Sequence, residues 1–529
     1  MNKFFFGIAI LMGLIGCSET ENKLEVFVSG AEIAGVNGII FGPDGYLYAT
    51  SVIGSDISVV DTENKKIVKR YGLEDGVIGP DDIDFNSKGE FYWTSILTGE
   101  VAGFDLEGNK IVAGNPGPGS NPITFSDDDR LFVAQCFFDN GVFELDPKGI
   151  NPPRVIFEEL GDYCGLNGMD WGPDGRLYGP RWFNNEVVSV DVDTGDLRVE
   201  AKGLNVPAAV KFNSMGELFI LDTGAGQVIK VEEGENKVYS EIENGLDNFA
   251  FNQNDELFVS SYSEGYVLKV KGNEIEEILP GGISHAGGLA SIDGDIVVAD
   301  IQSVKAYDFE TGKESWNYKN TFRVSPMGAN TSVSTFNNNL ILTSWLDGHV
   351  KIMRPDTGEI IGSLENLLIP VSATPFKNKV AVTLHGNGSV TLFDMQSKSS
   401  EVLADGFMSP THIINYNEQL LVSDKLAGQV ISIDEAGNKS VIIDGLNSPE
   451  GIAIKDNAIY VFEGDTGEIL KVTDQSKELV ATVLPGSQPQ SKDQPTSMVF
   501  NGLIIEDDLL YIIGLKRALS EICNTITLL

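Results

Sequence analysis

Apolar residues in this chain come in short bursts separated by turns rich in Gly, Asp and Asn, and the bursts repeat in one order. Each unit has an apolar strand opening on a Pro-x-Gly-Ile-like step, a polar turn, a second aliphatic or aromatic strand, and a Gly-x-Val/Ile strand. Clear copies are Val36-Asn37-Gly38-Ile39 with Tyr46-Leu47-Tyr48-Ala49, Leu166-Asn167-Gly168-Met169 with Arg176-Leu177-Tyr178, and Pro449-Glu450-Gly451-Ile452 with Ala458-Ile459-Tyr460-Val461. The twelve x residues are spaced 39 to 46 residues apart.

A period near 40 residues with several strands per unit predicts propeller blades, because one four-stranded blade cannot bury both faces unless neighbours stack on it. Closed rings hold about four to eight blades. The twelve units therefore predict an all-β chain of two consecutive six-bladed β-propellers with four-stranded antiparallel blades. A junction near Pro280-Gly281-Gly282 gives a first propeller over 31–279 and a second over 280–515. From Gly514 to Leu519 the chain abandons the blade pattern, so 516–529 is expected to be an irregular tail and the twelfth blade incomplete.

Lys3 precedes an apolar run from Phe4 to Ile15, too short to span a bilayer and laid out like a secretory signal peptide. Leu14-Ile15-Gly16-Cys17 resembles the bacterial lipobox, so 1–16 reads as a lipoprotein signal peptide, Cys17 as the lipidated residue, and 17–30 as a polar tether. The alternative is an ordinary signal peptide with a chance Cys. The expected address is the cell envelope, with a lipid anchor in the bacterial outer membrane as the sole membrane contact. A net charge of −40 repels phosphate backbones, which excludes nucleic acid as a partner, and favours divalent cations. Cys136 and Cys164 belong to loops expected on one face of adjacent blades; they form a disulfide or remain two free thiols.

Each x residue opens the innermost strand of its blade, so six of them converge at the mouth of each ring. In the first ring they are Asn37, Asp81, Asn121, Asn167, Ala208 and Asp247. Five side-chain oxygens suit a hard divalent cation, Ca²⁺ foremost. Asn and Asp also cap loop-to-strand turns through side-chain to backbone bonds, and that reading stays open. The second ring reads Gly287, Ser332, Val371, Thr411, Glu450 and Thr496, with one carboxylate, so a metal is expected in the first ring alone. His285, His385 and His412, with Glu450 and Glu463, are either an acid–base or transition-metal site or scattered loop residues. Asp222, Asp300, Asp424 and Glu463 recur after second strands and read as turn residues. Trp345, at the same place in blade 8, is a ligand platform or packing.

The segment Asn167-Gly168-Met169-Asp170-Trp171-Gly172-Pro173-Asp174-Gly175 resembles the Asn-Gly-Leu-Ala-Trp-Ser-Pro-Asp-Gly segment of the gluconolactonase, senescence marker protein and luciferin-regenerating enzyme family. Val36-Asn37-Gly38 falls where that family opens its first blade with Glu-Gly-Pro. The resemblance covers roughly residues 31 to 275; elsewhere the chain resembles NHL and YWTD propeller repeats in general. It implies a six-bladed propeller holding one divalent cation at the channel mouth and hydrolysing lactones. By position Asn167 and Asn121 match the family's Asn ligands, Asn37 replaces its Glu, and Asp247 is a further candidate ligand. The family's Asp that serves as ligand and base falls on Ala208, leaving Asp247 or Asp81 as candidate catalytic base. Arg181 and Trp182 would grip an anionic or sugar-like substrate, or else form a surface Arg stacked on a loop Trp. The implied function is a divalent-cation-dependent hydrolase of lactone-like or sugar-derived substrates. The alternative is a non-catalytic propeller that binds a glycan, peptide or surface protein.

Overall fold

Why these segments are strands is plain in the second blade. Its central strand Phe91–Ser95 is buried at every position, while its outer strand Lys110–Gly114 alternates exposed and covered residues. A strand covered on both faces reads as a continuous apolar run, and an edge strand facing water on one side alternates. Tight turns separate them: Gly45, at φ +84°, closes the first hairpin of blade 1, with Gly42 N donating to Tyr46 O at 2.9 Å. Only glycine adopts that backbone readily.

The computed structural model describes residues 25–320, 325–483, 500, 502–506, 508–518 and 521–528. The expected signal peptide, Cys17 and Thr496 lie outside them. Within them the chain forms twelve four-stranded antiparallel sheets. Apolar faces stack blade on blade: Trp93 is fully buried among Ile57, Phe91 and Phe104, from blades 1 and 2. Each such side chain contributes about 1.5–3 kcal/mol of transfer free energy.

Two rings result. The inner strand of blade 1, Ile39–Phe41, packs on that of blade 6, Leu246–Phe251, over a cluster that includes Ile39, Leu47, Phe258 and Leu279. The inner strand of blade 7, Leu289–Ile292, packs on that of blade 12, Leu503–Glu506, over Leu289, Ile296, Tyr511 and Ile513. Blades 1–6 and 7–12 are therefore separate six-bladed propellers.

The twelfth blade corrects two expectations. The supposed irregular tail is strand: Leu509–Ala518 pairs with Glu521–Leu528, and Glu521–Leu528 pairs with Glu25–Ser29, taken from the supposed tether. This sheet is assembled from both ends of the chain, so a repeat period read along the sequence cannot reveal it. Phe27 meets Tyr511 edge-on at 5.3 Å between ring centroids, and Val28 is buried beside Ile283 and Ile513.

The rings are docked against each other. Lys305 of blade 7 is fully buried and bridges Asp300 at 2.9 Å and Glu264 of blade 6 at 3.0 Å. Beside this polar clasp Ala34 and Ile53 of the first ring pack on Ile301 and Ala329 of the second. A buried cation is tolerated because it is paired on both sides.

Candidate functional site

The mouth of the first ring is held by bonds from one blade to the next. Thr50 and Thr94, on second strands, donate their hydroxyls to the carbonyls of Asp81 and Asn121 in the following blades. Ser260 of blade 6 donates to the Asn37 carbonyl at 2.8 Å, completing the circle. Where glycine follows x it allows close approach: a Cβ on Gly38 would lie 2.2 Å from Asp82 Oδ1 and 2.7 Å from its Cα, and one on Gly168 would lie 2.6 Å from Ala209 Cα. Inner strands thus crowd at the hub, and the x side chains gather at its mouth.

They line one cavity of about 600 Å³, which takes in Asn37, Asp81, Asn121, Asn167 and Asp247. Ala208 is buried and is not among the lining residues. Trp182 lines the cavity, whereas Arg181 does not: Glu186, on the next strand, accepts from Arg181 Nε at 2.9 Å. The structure thus turns Arg181 to Glu186 and leaves it outside the cavity lining, an ion pair that the spacing of five residues across a hairpin makes natural. Phe137 and Phe138 add aromatic wall, and the Cys136–Cys164 disulfide fixes the segment that carries them. Phe137 N also donates to Tyr163 O at 2.7 Å. The opposite wall belongs to the second ring, through Ile301, Gln302, Ala329, Trp345, Leu346 and Asp347.

Asp81 and Asp247 set the electrostatics. Burial, then the charges of Asp247 and Asp82, pushes Asp81 well above the usual carboxylate range. Burial, then Asp82, pushes Asp247 up to about 7, against a hydrogen bond from Asn37. Two desolvated carboxyls within each other's field favour either a shared proton or a bound cation. Turn capping is present as well: Asn37 Oδ1 accepts from Val52 N at 3.1 Å and Asn167 Oδ1 from Gly168 N at 3.0 Å. An amide oxygen has two lone pairs, so one such bond leaves a lone pair for a ligand. Two carboxylates with amide oxygens make a hard-oxygen donor set that fits Ca²⁺. Among the described residues no group of three or more His, Cys, Asp or Glu is placed to hold a metal, so any cation here depends on the amides.

Below the mouth lies a charged layer that the sequence reading missed. Lys211 is flanked by Asp82, Asp84 and Asp170; burial disfavours its charge, and Asp170, Asp82 and Asp84 together hold it protonated. Each carboxylate also accepts a backbone N–H from the next blade: Asp82 from Ile123 at 3.2 Å, Asp84 from Phe125 at 2.8 Å, Asp170 from Phe212 at 2.7 Å. Asn248 Nδ2 donates to Asp82 at 3.2 Å. The signal was visible in Asp81-Asp82-Ile83-Asp84, where alternate residues of an inner strand share the channel face.

The second ring differs. Glu450 meets Lys425 at 2.7 Å in the interior. Its histidines do not converge: His349 Nε2 lies 3.2 Å from Asn330 Oδ1, His385 Nδ1 lies 3.3 Å from Ser409 Oγ, and His412 Nδ1 accepts from Ile452 N at 3.1 Å. His285 sits at the junction, its ring 4.5 Å from that of Tyr262. The recurring acids clamp the loops that enter their own blades: Asp222 accepts from Asn205 N at 2.7 Å, Asp424 from Ser409 N at 2.7 Å, Glu463 from Asn447 N at 2.8 Å and Asp300 from Ser284 N at 3.0 Å. Their turn role is structural.

No protein-family model matches this sequence, and no curated protein does. Solved structures resemble it at low identity. Virginiamycin B lyase from Staphylococcus aureus is 18% identical over 53% of this chain and 96% of its own, with a TM-score of 0.38. A gluconolactonase from Xanthomonas campestris is 14% identical over 49% of this chain and 89% of its own, at 0.37. An extracellular domain from B. thetaiotaomicron, assigned to a one component system, is 10% identical over 96% of this chain and 82% of its own, at 0.32. None of the three carries weight for what this chain does.

Proposed function

We propose that the mouth of the first ring is a divalent-cation-dependent hydrolytic site for lactone-like substrates, with Ca²⁺ the best-fitting ion. The observation that carries this reading is the pair of carboxyls, buried Asp81 and part-buried Asp247, facing one cavity with the amides of Asn37, Asn121 and Asn167. A bound cation would polarise the substrate carbonyl and make a water more acidic. Asp81, Asn121 and Asn167 are the proposed donors, and Asn37 orients Asp247 through its side-chain hydrogen bond. Asp247, once ionised, is the proposed base. It takes a proton from the water whose oxygen bonds to the acyl carbon, the ring C–O bond breaks, and the proton passes to the departing alkoxide. Without a cation the Asp247 carboxyl is held at about 7, and a cation bound nearby would lower that value and favour the ionised base.

A second reading rests on Ala208, which puts a methyl group where the resembled family carries its acid. In that reading the cavity binds a ligand without turning it over. One experiment separates the two. Ca²⁺ titration with thermal melting, alongside proton release from a panel of lactones, should show a Ca²⁺-dependent rise in melting temperature that Asn167→Ala abolishes, and proton release that Asp247→Asn abolishes. Stabilisation by Ca²⁺ without proton release from any lactone selects the binding reading. No response to Ca²⁺ removes the hydrolytic one.

A further inference from the structure

The walls of the cavity say what a substrate carries besides its reacting carbonyl. Among the described residues its charged lining is three carboxylates, Asp81, Asp247 and Asp347, with no Lys, Arg or His. Arg181, the nearest basic residue expected there, is held by Glu186. Once the charge of a bound cation is offset by Asp81 and Asp247, a sugar acid or phosphorylated sugar would meet one more carboxylate, Asp347, and no described cation to pair with.

The uncharged walls are mainly apolar. Phe137, Phe138 and Leu97 stand on the first-ring side, and Ile301, Trp345 and Leu346 on the second. Phe138 is 61% exposed at the rim, a large ring left in water beside a concave surface. In the second-ring wall Asp347 accepts from Ala329 N at 2.8 Å and Asn320 donates to Gln302 at 3.2 Å, which leaves Gln302 Nε2 and Asn320 Oδ1 as the two buried side-chain polar atoms there without a partner among the described residues. Most of that wall gives a hydroxyl-rich ligand no return for the water it sheds. A volume of about 600 Å³ suits a small molecule with a substantial apolar group.

We infer, resting on the hydrolytic reading above, that the substrate is a neutral lactone or ester bearing a bulky or long apolar group. Its carbonyl sits at the Asp81–Asp247 floor, and its apolar group lies along the Trp345–Leu346 edge supplied by the second ring. The second propeller is then the specificity wall of a site whose chemistry belongs to the first. This ranks free and anionic sugar lactones below apolar ones as substrates.

Calorimetric titration of the full, Ca²⁺-loaded chain tests this with δ-dodecalactone, D-gluconolactone and decyltrimethylammonium as probes. Dodecalactone should bind saturably and at least about tenfold more tightly than gluconolactone, with Trp345→Ala weakening it by about tenfold and leaving the Ca²⁺ response intact. Should Trp345→Ala fail to fold, Leu346→Gln with an unchanged melting temperature serves, and should weaken dodecalactone several-fold. Tighter binding of gluconolactone, or unchanged dodecalactone affinity in a folded variant of either residue, overturns the inference. So does tighter binding of decyltrimethylammonium to the Ca²⁺-free chain, which would make the carboxylates a receptor for organic cations. Dodecalactone bound but never hydrolysed leaves this inference standing and removes the hydrolytic reading. Gluconolactone hydrolysed while dodecalactone fails to bind does the reverse.

Discussion

The two propellers repeat one blade pattern but close differently and carry different interiors. The first closes by packing: blade 6 meets blade 1 through the Ile39–Phe258 cluster and the Ser260 to Asn37 bond, and among the described residues no strand crosses between them. The second closes by strand exchange, with Glu25–Ser29 completing its last blade. At the mouths the contrast concerns charge. Glu450 of the second ring is neutralised by Lys425 at 2.7 Å, whereas burial and neighbouring carboxylates push Asp81 and Asp247 of the first upward. The lesson is a division of labour within one repeat: the ring sealed by its own termini can serve as a wall, and the ring that keeps uncompensated carboxyls carries the candidate chemistry.

The strongest way to break this comparison is to attack the seal. Val28→Asp places a charge in a buried apolar position and should cost on the order of 4 kcal/mol. Differential scanning calorimetry with limited proteolysis should show the second ring failing first; equal loss in both rings would mean that they do not close independently. Next, Glu450→Ala strands the Lys425 ammonium and should cost about 3 kcal/mol while leaving the Ca²⁺ response unchanged. Loss of that response would move the metal assignment out of the first ring.

A smaller effect comes from pH, and here the rings should slope in opposite directions. Asp247 is raised from its ordinary value to about 7, so the native state binds more protons than the unfolded chain between about pH 4 and 7. Without a divalent cation, first-ring stability should fall as pH rises through that window and then level off. His349 and His412 are depressed by burial to about 3 and about 4. Their native forms bind fewer protons, so the second ring should lose stability as pH falls below about 6.5. Melting followed across pH 4 to 8 in EDTA checks both slopes, and Asp247→Asn should lessen the first, to which Asp81, Asp82 and Asp170 also contribute, without changing the second.

The blades were legible in the sequence because similar strand-turn-strand units recur about every 40 residues, some opening on a Gly step, and the second strands are nearly all apolar. Residues such as Gly38 must sit where backbones nearly touch, so the repeat advertises itself. The gathering of Asn37, Asp81, Asn121, Asn167 and Asp247 on one cavity was likewise legible, since equivalent positions in a ring point to a common hub. Three features were not. The twelfth blade joins segments from opposite ends, and a period cannot show that. Lys211 looked like an ordinary strand lysine because its carboxylate partners lie in other blades. The cavity's second wall depends on how one ring docks on the other, which follows from the Lys305 clasp and not from any motif.

That last blade also sets a timetable. The strand Glu25–Ser29 leaves the ribosome early, yet its partner Glu521–Leu528 follows about 490 residues later. At about 5–20 residues per second the early segment waits roughly 25–100 s with an unsatisfied edge. A naked strand is a template for wrong pairings. The first propeller can mature during that interval, but the second stays an open horseshoe until Glu521–Leu528 has been made, and the cavity between them gains its far wall last.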